Sequence, residues 1–251
     1  MSIFELTGKT AVVTGAGRGL GAAIAIGLAK AGADVALVTN QTPADEAAEG
    51  IRALGRKAIT IQANVSDRSE LPAIIDQTLT ELGGLDILVN NAGIIRRTPA
   101  AEHAYEDWQA VLDVNLNAVF VLCQLAGKHM IEQGSGKIIN IASMLSFQGG
   151  INVPGYTASK HAVAGLTKAL GNEWAPKGVQ VNAIAPGYMS TDNTEALRGD
   201  PVRSKQILDR IPAGRWGTSE DLVGPSIFLA SAASDYMNGH ILCVDGGWMN
   251  R

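Results

Sequence analysis

Tyr156 and Lys160 stand four residues apart in the stretch YTASK. On a helix that spacing puts a phenol and an ammonium on one face. A free phenol has a pKa of roughly 10 and is a poor base at neutral pH. A neighbouring cation favours its ionised form. The pair could then move a proton to or from an alcohol. Ser143 lies thirteen residues before Tyr156, at the expected end of a strand. Its hydroxyl could bond a substrate oxygen as charge develops there. Asn115, in DVNLNAVF, is an average-to-poor helix former inside a helical pattern. It reads either as an amide holding a water near the lysine or as a satisfied core amide. A Tyr/Lys pair can also be an ordinary surface pair, so the elements around it decide.

Short apolar runs alternate with longer segments of helical period. Strands are expected at 10–14, 34–39, 57–63, 86–91, 136–143, 179–185 and 240–245. Helices are expected at 19–31, 43–54, 68–82, 103–133 (one or two), 156–175 and 218–232. The strands are rich in Val and Ile and nearly continuous in apolar character, which suits parallel strands covered on both faces. Strand–helix repetition of this kind predicts an α/β fold: a single-domain, Rossmann-like, doubly wound seven-stranded parallel sheet with helices on both faces. The least regular stretch, 187–217, has a short helix expected near 202–210 and reads as a substrate loop.

The chain has 251 residues, 46% of them hydrophobic and 18% charged, with a net charge of −4. These values fit a globular protein that buries a sizeable core. There is no basic stripe for nucleic acid or an anionic membrane. No apolar run approaches the roughly 20 residues that span a bilayer. The start, MSIFELTGKT, does not read as a secretory signal. Cys123 and Cys243 lie in apolar contexts and are expected to be buried thiols. A cytoplasmic protein is expected, with no resident metal.

TGAGRGLG (14–21) places Gly15, Gly19 and Gly21 between an incoming strand and an outgoing helix. Such glycines let the backbone turn and approach a pyrophosphate, and the helix N-terminus offers free N–H groups. An acid roughly 20 residues on would bind ribose hydroxyls, but Asp34 opens its strand, whereas the binding position is at the carboxyl end. That end reads Thr39-Asn40, neither acid nor base. Arg18 could meet a 2′-phosphate or remain a solvated loop charge. A nicotinamide dinucleotide is expected, its form undecided by these residues. Ligands of open parallel sheets bind beyond the carboxyl ends of the strands. Asn64-Val65 falls there as an adenine edge, Asn90-Asn91-Ala92-Gly93 leaves room for ribose and nicotinamide, and Pro186-Gly187 makes a sharp turn.

Together these residues resemble the short-chain dehydrogenases/reductases over essentially the whole chain. The matching set is Thr14-Gly15 with Gly19 and Gly21, Asn90 to Gly93, Asn115, Ser143, Tyr156 with Lys160, and Pro186-Gly187, in order and spacing. The resemblance implies an oxidoreductase interconverting a secondary alcohol and a ketone, with Tyr156 as acid/base and Lys160 as its activator and ribose ligand. It implies Ser143 as substrate orienter, Asn115 as proton-relay support, and Asn64 and Val65 beside the adenine. Leu20 and Met189 join the cofactor positions. NAD(H) is favoured, NADP(H) is not excluded, and a homotetramer is implied.

NAGIIRR, IASMLSFQGGINVPGYTASKHAV and NAIAPGYMSTDNT look like the branch acting on deoxy sugar acids of the 2-deoxy-D-gluconate or 2-dehydro-3-deoxy-D-gluconate type. Arg96 and Arg97 follow Gly93, and Gln148, Tyr188 and Asn193 lie on loops expected over the same pocket. One of those arginines, or Arg203, is expected to pair with a substrate carboxylate. The alternatives are a 3-oxoacyl-thioester (acyl carrier protein) reductase with the same catalytic set and a non-catalytic nucleotide-sensing protein. Trp248, in VDGGWMNR, reads as subunit contact or core packing.

Overall fold

The computed structural model describes residues 2–251. Seven strands form one sheet: β1 (Thr10–Thr14), β2 (Asp34–Thr39), β3 (Ala58–Gln62), β4 (Ile87–Asn90), β5 (Gly136–Ile141), β6 (Val179–Pro186) and β7 (Ile241–Val244). Every pairing is parallel. The order is β3-β2-β1-β4-β5-β6-β7. The chain therefore reverses direction across the sheet between β1 and β4, and that is where a crevice opens at the carboxyl edge.

The helices are α1 (Gly19–Lys30), α2 (Asp45–Ala53), α3 (Leu71–Leu82), α4 (Tyr105–Leu112), α5 (Ala118–Gln133), α6 (Pro154–Trp174), α7 (Glu195–Gly199), α8 (Pro201–Arg210) and α9 (Val223–Ala230). Alternate strand residues explain the two layers. Ala11, Val13, Val35 and Leu37 pack with Ile24, Leu28, Ile51 and Leu229 of α1, α2 and α9. Val12, Ala36, Val38 and Leu88 pack with Ile74, Leu122, Met130 and Val163 of α3, α5 and α6. Both sides of each central strand are dry, which is why those strands read as continuous apolar runs.

Three local departures matter for the site. β5 stops at Ile141 rather than 143, because Ser143 leaves the ladder to cap the short 3-10 turn Met144–Ser146. α6 starts two residues earlier than expected, with Pro154 in its first turn, a position where the missing N–H costs nothing. The 103–133 pattern is one continuous helical run, Tyr105–Gln133, with a π turn at Asp113–Asn117 in its middle. By length and composition that run is long and apolar enough to cross a membrane, contrary to the sequence expectation. Its apolar face is used inside the fold: Leu122, Cys123, Ala126 and Met130 are buried against the sheet.

The thiols also divide: Cys123 is buried, whereas Cys243 is exposed on β7, and both are free. A Cβ added at Gly127 of α5 would lie 2.6 Å from the Trp174 ring at the end of α6. Overpacking of this kind costs about 1–3 kcal/mol. Gly127→Ala should therefore lower the melting temperature by several degrees in a thermal scan; an unchanged midpoint would contradict this packing.

Candidate active site

The glycine loop joins β1 to α1 across the reversal point. Gly15 and Gly19 have φ of +66° and +57°, the left-handed region that glycine enters freely. A Cβ at Gly21 would lie 2.2 Å from the Gly15 carbonyl oxygen, so the helix start packs directly on the loop. Thr14 Oγ1 accepts from the backbone N–H of Asn91 and of Ala92, both at 3.0 Å. Asn91 Nδ2 donates to Thr14 O at 2.9 Å and to Gly15 O at 3.2 Å. Asn91 thus spends its side chain on the loop and shapes the cradle. No side chain caps α1 and its first turn has no acid. Its free N–H groups and positive dipole end fit a dinucleotide pyrophosphate.

Around this cradle, Leu20 packs partly into the core beneath α1. Val65, Asn90 and Ala92 line a small cavity with Thr14 and Val114. Asn64 Oδ1 accepts from Ser66 N at 3.2 Å and Ser66 Oγ at 2.8 Å, fixing the turn after β3. Asn40 Nδ2 stands 3.5 Å from the same oxygen, beside Thr39 at the end of β2. Asp34, at the opposite end of β2, pairs with Arg56 at 2.8 Å, far from any cofactor role. Arg18 forms an exposed ion pair with Asp192 at 2.8 Å. A Cβ at Gly187 would lie 2.5 Å from Asp245 Cα, so only glycine fits after Pro186. The Met189 side chain is buried among core residues just after β6.

Ser143, Tyr156 and Lys160 converge where β5 meets α6. Ser146 holds them in place: its Oγ lies 3.3 Å from Ser143 N, which donates to it, and it donates to Lys160 O at 2.7 Å. Lys160 is 5% exposed, with no carboxylate beside it. Its Nζ donates to Ile141 O at 2.6 Å and stands 5.5 Å from the centre of the Tyr156 ring. Burial pulls its pKa down to about 8. The Tyr156 phenol is pushed up by burial, while the Ser143 side chain and the Arg97 charge act in the opposite direction.

Asn115 is fully buried in the π turn. Its Oδ1 accepts from Ile94 N at 2.8 Å, and its Nδ2 donates to Ile94 O at 2.9 Å and Ser159 Oγ at 3.3 Å. The side chain is therefore a satisfied amide that fastens the chain after Gly93. Ser159 in turn donates to Tyr156 O at 2.8 Å. Ser146 and Ser159 were not singled out from sequence; a serine three residues from each end of the Ser143–Tyr156 pair was the available signal.

The two arginines part company. Arg96 turns away to Asp107 of α4, at 3.2 Å. Arg97 Nη2 donates to Asn193 O at 2.9 Å, and its charge is felt at the Tyr156 phenol. Arg203 sits in the exposed first turn of α8 and bonds Gln206 at 3.2 Å. Tyr188 packs edge-to-face on Trp216 and Trp248, and Trp248 Nε1 donates to Gln148 Oε1 at 3.1 Å. Trp248 is buried within this chain, so core packing accounts for it.

A doubly wound sheet with a glycine loop at its reversal point, and a serine, tyrosine and lysine gathered at the same edge, defines a dinucleotide-dependent enzyme equipped for proton transfer. The short chain dehydrogenase model matches residues 9–201. The 2-dehydro-3-deoxy-D-gluconate 5-dehydrogenase of Bacillus subtilis is 57% identical over 99% of this chain and 97% of its own. The Escherichia coli enzyme of the same name is 54% identical over 100% and 99%. A solved Agrobacterium tumefaciens structure, provisionally called a 2-deoxy-D-gluconate 3-dehydrogenase and holding NADP, shares 53% identity and a TM-score of 0.92 over 100% of both chains. The chain belongs to the short-chain dehydrogenase family and is an NAD(P)-dependent oxidoreductase.

Burying Lys160 carries a stability cost. Between pH 8 and 10.5 the unfolded chain holds more protons on this lysine than the folded one, so stability rises with pH there. The penalty is fully present below pH 8 and amounts to at most roughly 3 kcal/mol, offset in part by the Ile141 bond. Lys160→Met should melt no lower than the unmodified protein at pH 7, with any advantage shrinking towards pH 10. A lower melting point that persists at pH 10 would count against it.

Proposed function

We propose that this enzyme oxidises a secondary alcohol, or reduces the matching ketone, on a deoxy sugar acid of the 2-dehydro-3-deoxy-D-gluconate or 2-deoxy-D-gluconate type. The observation that carries this reading is Arg97: a guanidinium bonded to Asn193 of the β6–α9 excursion whose charge reaches the Tyr156 phenol. A carboxylate placed there would gain a charge-assisted contact while its carbinol faced the phenol. The names of the relatives point to the same substrates.

Tyr156 takes the alcohol proton, or returns it to the ketone oxygen. Ser143 bonds the same oxygen and favours the developing charge. Lys160 keeps a cation 5.5 Å from the centre of the Tyr156 ring, and a neighbouring cation favours the ionised phenol against the upward push of burial. A nicotinamide dinucleotide held at this edge would supply the hydride chemistry. Gly15, Gly19 and Gly21 with the α1 N-terminus would hold the pyrophosphate, Asn64 and Val65 the adenine, Ala92 and Gly93 the ribose side, and Pro186-Gly187 the nicotinamide. Asn115 supports the proton path by fixing Ile94 and Ser159.

NAD(H) is the preferred form, with NADP(H) admitted: Thr39 and Asn40 offer no cation, and Arg18 is shared with Asp192. The segment 187–217 acts as a lid over the substrate. The protein is cytoplasmic and homotetrameric; Tyr105 and Phe120, exposed on the long helical run, suit a subunit contact.

The test is a screen of sugar acids, their neutral analogues and oxoacyl thioesters with both cofactors, following the reduced nicotinamide. Arg97→Ala should raise KM for the sugar acid roughly tenfold or more and leave the neutral analogue almost unchanged, whereas Arg96→Ala should leave both almost unchanged. Equal effects on both substrates, or faster turnover of thioesters, would overturn the assignment. Tyr156→Phe should abolish turnover while cofactor still binds.

A further inference from the structure

Trp248 opens a short turn after β7 and is only 6% exposed. Asp245 sets that turn, accepting from Gly247 N and Met249 N at 2.9 Å each. From there the indole reaches three separate parts of the fold. Its Nε1 donates to Gln148 Oε1 at 3.1 Å, on the chain just after Ser143. Its ring meets Tyr188 with centroids 4.7 Å apart, at the exit of β6. The Arg210 guanidinium lies 4.0 Å over it, at the end of α8. Met144, Ile207 and Ile211 complete the packing.

An indole N–H can only donate. Gln148 must therefore turn its oxygen to Trp248, which points its NH2 the other way. Among the described residues no protein acceptor takes that NH2. A phenylalanine would fill the same hole; the N–H is surplus to packing and serves to orient one amide. Gln148 is held as well at its backbone, where its N–H donates to Met144 O at 3.1 Å. The result is one fixed amide donor group five residues from Ser143 and tied through the indole to Tyr188.

We propose that Trp248 is a positioning residue for the substrate. It locks the Gln148 amide so that its NH2 meets a hydroxyl or carboxylate oxygen of a hydroxylated acid, and it ties that donor to Tyr188 and α8. The C-terminal turn, the Ser143 turn and the excursion over the site thereby move as one unit. This rests on the dehydrogenase reading given above, with a polyhydroxy acid as the class of substrate.

A double-mutant cycle tests it: Trp248→Phe, Gln148→Ala and the two together, run on whichever substrate of the screen the unmodified enzyme turns over. Trp248→Phe should raise KM roughly fivefold to tenfold, the size of one misplaced hydrogen bond, with kcat changed less than about twofold and the cofactor dissociation constant unchanged. On the Gln148→Ala background the same change should add less than about twofold, because the indole acts through that amide. Independent, multiplying effects would overturn the proposal, as would an unchanged KM or an equal weakening of cofactor binding. A failure of the sugar-acid reading appears separately, in the substrate profile of the unmodified enzyme.

Discussion

Where the strand order reverses, β1 and β4 lie side by side while their following helices leave on opposite faces. The gap at their carboxyl ends is bridged by four hydrogen bonds of 2.9 to 3.2 Å that join Thr14 and Gly15 to Asn91 and Ala92. These bonds satisfy backbone groups that neither the ladder nor a helix can reach. They also set the glycine loop against the chain that runs on to Gly93 and Arg97. The two halves of the crevice are thus located relative to each other by one small polar clamp. Everything placed beyond the strand ends inherits its position from it.

A second constraint acts where β5 meets α6. Lys160 and Asn115 are buried polar side chains in an apolar setting, and such groups are tolerated only when bonded. Asn115 meets that condition fully through Ile94 and Ser159. Lys160 meets it with a single carbonyl, and its lowered pKa records the shortfall. Strain of this kind belongs to sites in which a charge is kept near reacting atoms. The fold absorbs it because α5, α6 and the sheet are densely packed around Leu122, Met130 and Trp174.

The mouth of the crevice is built differently. Arg18–Asp192 and Arg97–Asn193 both connect the β6–α9 excursion to the rim. These groups are exposed, and exposed ion pairs contribute little to stability. Anionic ligands can therefore exchange places with them at small cost. Beneath this rim Tyr188 and Trp216, both half-buried, pack with the buried Trp248. Soft polar contacts over a firm aromatic floor suit a segment that must open and close.

Much was legible in the chain itself. The strand ranges of β1 and β2, the two-faced burial and the glycine loop follow from periodicity and from what glycine permits, since both are local properties. The sense of Asp34 also came through, because its place at the start of β2 is a matter of counting. Other assignments needed the third dimension. Arg96 and Arg97 are neighbours in sequence, yet one faces α4 and the other the phenol. That the Asn115 amide grips the backbone of Ile94 is set by a residue twenty-one positions away. The long apolar helix, the exposed Cys243 and the buried Met189 depend on which neighbours arrive from far along the chain. Trp248 reaches Gln148 across a hundred residues. The sequence alone thus determined the architecture and the kinds of group that stand at the sheet edge, because residue type and spacing dictate local conformation. Only the tertiary structure decided which of those groups face one another, because contacts between distant segments are set by how the layers pack.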